Sequence, residues 1–159
     1  MADEWSSDPD FLLWWLIVRI ERTIGRMRRK ELSQEGITIR QAGVLLVVHA
    51  IGDKATQSEI SRWLCREPNS VSSLLKRMEK QKLIRKSYDP ENMNRVVVQV
   101  TNRGQEIYEY VAKGISIHRI MSGFSEEEKK QLSTSLGKLY KRALEEGGLG
   151  MGPPWPFIR

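Results

Sequence analysis

Apolar positions recur at helical spacing along most of this chain and give way to β-branched alternation in one place. Residues 11–18, FLLWWLIV, are its most apolar run and lead into RIERTIGRMRRK. Leu13, Ile17, Ile20, Ile24 and Met27 follow in steps of four and three, the stripe of a helix packed against other helices. Leu12, Leu16, Trp14 and Trp15 widen that stripe beyond what one helix of a small monomer buries, which points to a subunit interface. The run is too short to span a bilayer, which takes roughly 20 apolar residues. It also has the reverse polarity of a secretion signal, with Asp3, Glu4, Asp8 and Asp10 before it and Arg19, Arg22 and Arg26 after it. The competing reading is a basic amphipathic helix lying on anionic lipid.

Further along, Thr38 to Gln41 reads as a capping box opening a helix that carries Ala42, Leu45, Leu46 and His49 and stops at Gly52. A second box, Thr56 with Glu59, opens TQSEISRWLC, where Ile60 and Leu64 face inward. Pro68 then starts a third helix lined by Val71, Leu75 and Met78. Three short helices in succession predict a helix-turn-helix unit. The pattern changes at RKSYDPENMNRVVVQVT: Tyr88-Asp89-Pro90 and Asn92 carry turn chemistry, VVVQV is rich in β-branched residues, and a small hairpin is predicted. Thr101 starts a long helix with Ile107, Val111 and Ile115 stacked at steps of four. Ser125 with Glu128 caps a last one carrying Leu132, Leu136, Leu139 and Ala143. The closing GGLGMGPPWPFIR holds too much Gly and Pro for a helix and predicts a loosely docked tail, in which Trp155 and Phe157 have no assigned role.

With 159 residues and 40% hydrophobic content the chain can bury a real core in one domain with appended helices. The balance of 26 Lys+Arg against 20 Asp+Glu gives a net charge of +6, which favours polyanionic partners. A single cysteine, Cys65, excludes an internal disulfide framework and suits a reducing cytoplasm.

The location of the charge carries the functional reading. With Val71, Leu75 and Met78 turned inward on the proline-initiated helix, the opposite face bears Asn69, Ser73, Lys76 and Lys80, flanked by Ser70, Ser72 and Arg77, and Glu79 stands to the side. Small polar residues at the N-terminal end allow close approach to base edges, while the Lys and Arg further along reach phosphates. A plain solvated helix face would look similar. The hairpin that follows adds Arg85, Lys86 and Arg95, so a helix-turn-helix and a basic wing stand in winged-helix order. A wing-tip arginine gains from the concentrated negative potential of a narrow minor groove; the rival reading of Arg95 is a surface charge beside Asp89 or Glu91.

The stretches TQSEISRWL, EPNSVSSLLKRMEKQKLI and YDPENMNRVVVQVTNRG, in this order and spacing, resemble the MarR family of bacterial transcription regulators. The resemblance implies a mainly α fold with a β-hairpin wing. It divides the chain into an N-terminal dimerisation helix over 8–35, a winged helix-turn-helix over 36–101, C-terminal dimerisation helices over 102–147 and the tail over 148–159. It implies base-facing roles for Asn69, Ser70 and Ser73, phosphate contacts from Lys76 and Arg77 with Ser72 beside them, and a wing built on Asp89 to Arg95. Leu13, Trp14, Ile17, Ile20, Ile24, Leu132 and Leu136 would form the dimer interface. Two departures stand out: the family's usual wing arginine falls on Asn94 and its partner aspartate on Asn92, leaving Arg95 as a substitute one residue on, and Lys82 occupies a position where the family often has glycine.

The function expected is that of a homodimeric repressor that occludes a palindromic DNA operator in the cytoplasm. By resemblance, a small-molecule effector would bind between the dimer helices and the winged helix, with Trp14, Trp15, His49 and His118 as candidate lining; the competing reading places these rings in the core. Cys65 has Arg62 and Arg66 nearby but is expected to pack rather than to sense oxidants. His49 and His118 are too far apart in sequence for metal-ligand spacing, so no metal and no cofactor are expected. Without a nucleophile–His–acid pattern, phosphate-cradling glycine loop or paired-carboxylate motif, no enzymatic activity is expected either. The alternative from a different class is an adaptor that binds membrane or a partner protein through its first helix on a winged-helix scaffold.

Overall fold

The computed structural model describes residues 7–148, so Trp155, Phe157 and most of the expected tail lie outside the described residues. The chain forms two compact units, residues 1–39 and 40–159.

In the first unit, α1 (Pro9–Leu32) begins where the Asp8 carboxylate accepts the N–H groups of Asp10 at 2.9 Å and Phe11 at 3.2 Å. Pro9 fills the first helical position, where no N–H is needed. The stripe predicted for this helix is on its surface. Every residue from Phe11 to Leu16 is exposed, with Leu13 at 55% and Trp14 at 51%; Ile20 is exposed and Ile17 and Ile24 are half-buried. Rings of Phe11 and Trp14 stand 5.0 Å apart, and those of Trp14 and Trp15 5.9 Å. A short 3₁₀ turn, Ser33–Glu35, and Gly36 at φ +67° close the unit.

The second unit holds α2 (Ile39–Ile51), α3 (Gln57–Trp63), α4 (Pro68–Lys80), β1 (Ile84–Asp89), β2 (Asn92–Val100), α5 (Asn102–Lys113), α6 (Ile115–Met121) and α7 (Glu126–Glu146). Its core is Val44 and Leu45 from α2, Ile60 from α3, Val71, Leu75 and Met78 from α4, Leu83 and Ile84 at the wing's root, Val97, Val98 and Val111, all at most 2% exposed. The capping boxes at Thr56/Glu59 and Ser125/Glu128 form on both sides, and Thr101 caps α5.

Helices α3 and α4 end alike, each in a Schellman motif whose left-handed residue is not glycine. Leu83 N–H reaches Met78 O at 3.0 Å and Lys82 N–H reaches Glu79 O at 2.9 Å, with Lys82 at φ +58°. Arg66 N–H reaches Ser61 O at 3.0 Å and Cys65 N–H reaches Arg62 O at 3.2 Å, with Cys65 at φ +49°. Lys82 thus makes the turn that glycine would make.

Strands β1 and β2 pair antiparallel from Ile84 opposite Val100 to Tyr88 opposite Val96, with an irregularity after Tyr88. The segment ahead of α3 joins them: Thr56 bridges to Val97, and Val98 N–H donates to Ala55 O at 2.7 Å. The wing is therefore laced to the helix-turn-helix through backbone hydrogen bonds as well as through its root.

Two sequence expectations change here. The helix starting at Thr101 does not run on through Ile115: Gly114, at φ +51°, ends α5, and Ile115 lies exposed on α6. His49 does not belong to the buried face of α2 but is exposed, with its ring stacked on that of Tyr108 at 3.9 Å.

Candidate nucleic-acid interface

The proline start and the buried residues of α4 determine which way its other side chains point. Val71, Leu74, Leu75 and Met78 are buried, so the helix is locked in rotation and Asn69, Ser70, Ser73, Lys76, Arg77 and Lys80 are left exposed, with Ser72 half-buried at the flank. No ion pair engages Lys76, Arg77 or Lys80 among the described residues. The nearest carboxylate on the helix, Glu79, is occupied by accepting the Lys86 N–H at 3.3 Å. The result is a row of free cations beside hydroxyl and amide groups. Its setting is rigid: the Gln57 side-chain amide donates to Pro68 O at 3.4 Å, Ser61 Oγ donates to Gln57 O at 2.8 Å, and the Gln41 amide donates to the Gln81 side chain, which follows α4.

At the wing the contacts match the rival reading of Arg95, a charge beside Asp89. Arg95 is not free at the tip. Its Nη2 donates to Lys54 O at 2.9 Å and lies 3.4 Å from a Glu59 carboxylate oxygen, and its Nε is 3.9 Å from Asp89. Both acids belong to built features: Glu59 completes the Thr56 capping box, and Asp89, only 5% exposed, accepts the Glu91 N–H at 2.9 Å. Burial alone would push the Glu59 carboxyl up, but hydrogen bonds from the Thr56 hydroxyl and N–H, together with the Arg95 guanidinium, hold it below the ordinary carboxylate range. Lys54 pairs with Glu91 at 2.8 Å, and that hydrogen bond raises the ammonium above its usual value. Asn94 is exposed, and its N–H caps back onto Asn92 Oδ1 at 3.1 Å. Glu59 and Lys54 were legible in sequence only as a helix cap and a loop charge; nothing local marked them as partners of the wing.

Of the four expected effector-pocket residues, His49 lines an open cavity of about 410 Å³ with Val48, Asp53, Arg85, Gln99 and Gln105, and Arg85 Nε there donates to Gln99 at 3.0 Å. His118 is exposed on α6 and is not part of that lining, while Trp14 and Trp15 stand exposed on α1. Cys65, expected to pack, is exposed, with its sulfur 3.7 Å from Tyr140 Oη. Burial first, and the Cys65 thiol second, push the Tyr140 hydroxyl up. No group of three or more potential metal ligands occurs among the described residues, and none of their helices is long and apolar enough to cross a membrane.

Residues 35–92 match the model of the MarR family. The chain is 26% identical over 141 residues to an uncharacterized HTH-type transcriptional regulator, YfiV, of Bacillus subtilis (strain 168), covering 87% of each chain. Among solved structures it resembles the organohalide-sensing RdhR-CbdbA1625 transcriptional regulator in its 2,4-dichlorophenol-bound form, with a TM-score of 0.83, 24% identity, and coverage of 99% of this chain and 96% of that one. It also resembles MepR of S. aureus in complex with DNA, with a TM-score of 0.75, 27% identity, and coverage of 86% and 99%. The three sequence stretches, the wing behind the proline-initiated helix and these likenesses agree: the chain has a winged helix-turn-helix fold, and its residues 35–92 are similar to the MarR family of transcription regulators.

Proposed function

We propose that this protein is a sequence-specific, double-stranded DNA-binding transcription regulator that acts as a homodimeric repressor in the cytoplasm. The observation that carries the reading is the outward face of α4. Lys76, Arg77 and Lys80 are unpaired there beside exposed Asn69, Ser70 and Ser73, on a helix whose rotation four buried side chains fix. Cations left without partners are what phosphate contacts need, because each phosphate neutralised releases counterions. The short polar side chains nearer the N-terminus of α4 suit direct contact with base edges, with Ser72 at the margin. The DNA complex of MepR supports the same use of the fold.

Dimerisation is supported by apolar side chains on two helices: Leu13, Trp14 and Ile20 on α1, with Ile17 and Ile24 beside them, and Leu132 and Leu136 on α7, at 38% and 45% exposure. A two-fold dimer would present two copies of α4 to an inverted repeat with half-sites about ten base pairs apart. Repression then works by occlusion, and an effector acts by changing the separation of the two copies. The ligand-bound form of RdhR-CbdbA1625 supports an effector of some kind. Trp14, Trp15, His49 and His118 remain its candidate contacts.

The test is selection of sites from a random duplex library at two salt concentrations. An inverted-repeat motif and a steep loss of affinity with salt are expected; salt-sensitive binding with no motif would reduce the protein to a polycation. Lys76→Ala should weaken all sequences alike and lower the salt slope by about 1.8 for a dimer, two contacts at about 0.9 each, whereas Ser73→Ala should shift sequence preference.

A further inference from the structure

The wing carries charges of both signs at its tip, and every one of them has a partner. Lys54 holds Glu91, and Arg95 is shared between the Lys54 carbonyl, Glu59 and Asp89. Asp89 and Glu91 are thus each matched by a cation, Asn92 Oδ1 accepts the Asn94 N–H, and the side chains standing free at the tip are Met93, at 69% exposure, and Asn94. The next cations along the strands belong to the wing's foot, where Arg85 is bonded to Gln99 and Lys86 is half-buried.

From this arrangement we infer that the wing meets DNA as an uncharged tip, in which Asn94 and Met93 determine the preferred flanking sequence and Arg95 is a positioning residue that ties the wing to α3. The inference rests on the DNA-binding reading above and deepens it. A minor groove offers base acceptors on its floor at A·T pairs and an added amino donor at G·C pairs. An asparagine amide can address either, and an exposed thioether suits the apolar sugar walls or a partly opened base step. A guanidinium already held by one carbonyl and two carboxylates is not available for the same work. Moving Arg95 to phosphate would also strip the charge partner from Asp89, which is nearly buried.

The experiment measures affinity as a function of salt, on the duplex selected from the random library and on versions with randomised flanks. The Met93→Ala/Asn94→Ala double variant is expected to lose a flank preference of about fivefold while its salt slope stays at the wild-type value. Arg95→Met is expected to weaken operator binding about tenfold with the slope again unchanged, because the wing is displaced but no phosphate contact is lost. Arg95→Lys, which keeps the charge but cannot fork between three acceptors, should behave like Arg95→Met. A slope lowered by about 1.8 in Arg95→Met, or affinity restored by Arg95→Lys, would show Arg95 on the DNA and overturn the inference. An unchanged flank preference in the double variant would do so equally. Thermal melts of each variant separate these results from loss of fold. A failure of the underlying reading looks different: the wild type would select no site, or Lys76→Ala would leave the slope untouched.

Discussion

Gly104→Ala isolates the contact that joins the wing's foot to α5. A Cβ built on Gly104 would stand 1.9 Å from the Leu83 carbonyl oxygen, 2.9 Å from its carbon and 2.8 Å from Val100 Cγ1. The first two atoms are backbone, so no side-chain rotation relieves the clash, and the helix or the strand must retreat by about 1.1 Å even to restore a 3.0 Å contact. That oxygen also accepts the Thr101 N–H at 3.2 Å, while Thr101 Oγ1 donates to Lys82 O and accepts the Gly104 N–H at 3.1 Å. Retreat therefore adds the loss of a hydrogen bond, about 1 kcal/mol, to an overpacking cost of about 1–3 kcal/mol. The sum, roughly 2–4 kcal/mol, is a large share of the 5–15 kcal/mol typical of a domain and corresponds to a fall in Tm of roughly 5–15 °C. Far-UV circular dichroism melts with a denaturant titration measure it. Gly123→Ala serves as control, since its Cβ would meet only Ile120 O at an ordinary 3.6 Å. A Gly104→Ala protein within about 0.5 kcal/mol of wild type would show that the junction yields freely and that the close approach is not a constraint.

Lys82→Gly should stabilise the protein by roughly 0.5–1 kcal/mol, because glycine relieves the left-handed strain at φ +58° while keeping both Schellman hydrogen bonds; a loss on denaturant titration would mean the lysine side chain matters more than its backbone. The Glu59 carboxyl is held low in the folded state, so its contribution to stability is complete above its ordinary value of 4.5 and is lost as pH falls through the lower folded value. Glu59→Gln, which can still close the capping box, should remove that part of the decline in acid melts, and an identical pH profile would exclude the Arg95 pairing as its source. Leu136→Asp should weaken the proposed dimer more than about 100-fold by sedimentation equilibrium, because two-fold symmetry buries the new charge twice; an unchanged mass distribution would remove α7 from the interface.

The features legible in sequence were those whose cause lies within a few residues. The boxes at Thr56/Glu59 and Ser125/Glu128 and the proline start of α4 depend on neighbours three positions away or fewer, and each appears in the fold as read. The spacing of Val71, Leu75 and Met78 likewise sets the outward face of α4. What escaped was set by distant partners. Arg95 meets groups 41 and 36 positions earlier in the chain, and no periodicity announces such a pairing. His49 was counted with an apolar stripe because its spacing fits, but its ring stacks at the surface on Tyr108, a residue of α5. Lys82 and Cys65 show a further limit: a left-handed helix end is readable when glycine marks it, as at Gly52 after α2, and is missed when another residue accepts the strain or, as at Gly114, when apolar spacing continues across the glycine.

The two halves of the proposed DNA site use charge in opposite ways. On α4 the cations are left unpaired, so they are available to phosphates and would carry affinity and salt dependence. On the wing every tip charge is consumed internally, and the same bonds make the wing stiff. Val98 N–H to Ala55 O, Arg95 to Lys54 O, and Thr101 Oγ1 to Lys82 O tie it at three levels to the segments that precede and follow the helix-turn-helix. A wing held this way cannot swing without breaking several hydrogen bonds at once, each worth about 1 kcal/mol. A releasing signal would therefore gain little by bending the wing. Changing the distance between two intact winged helices leaves all of these bonds in place, which is the physical reason for placing effector control, in the function proposed here, at the dimer helices.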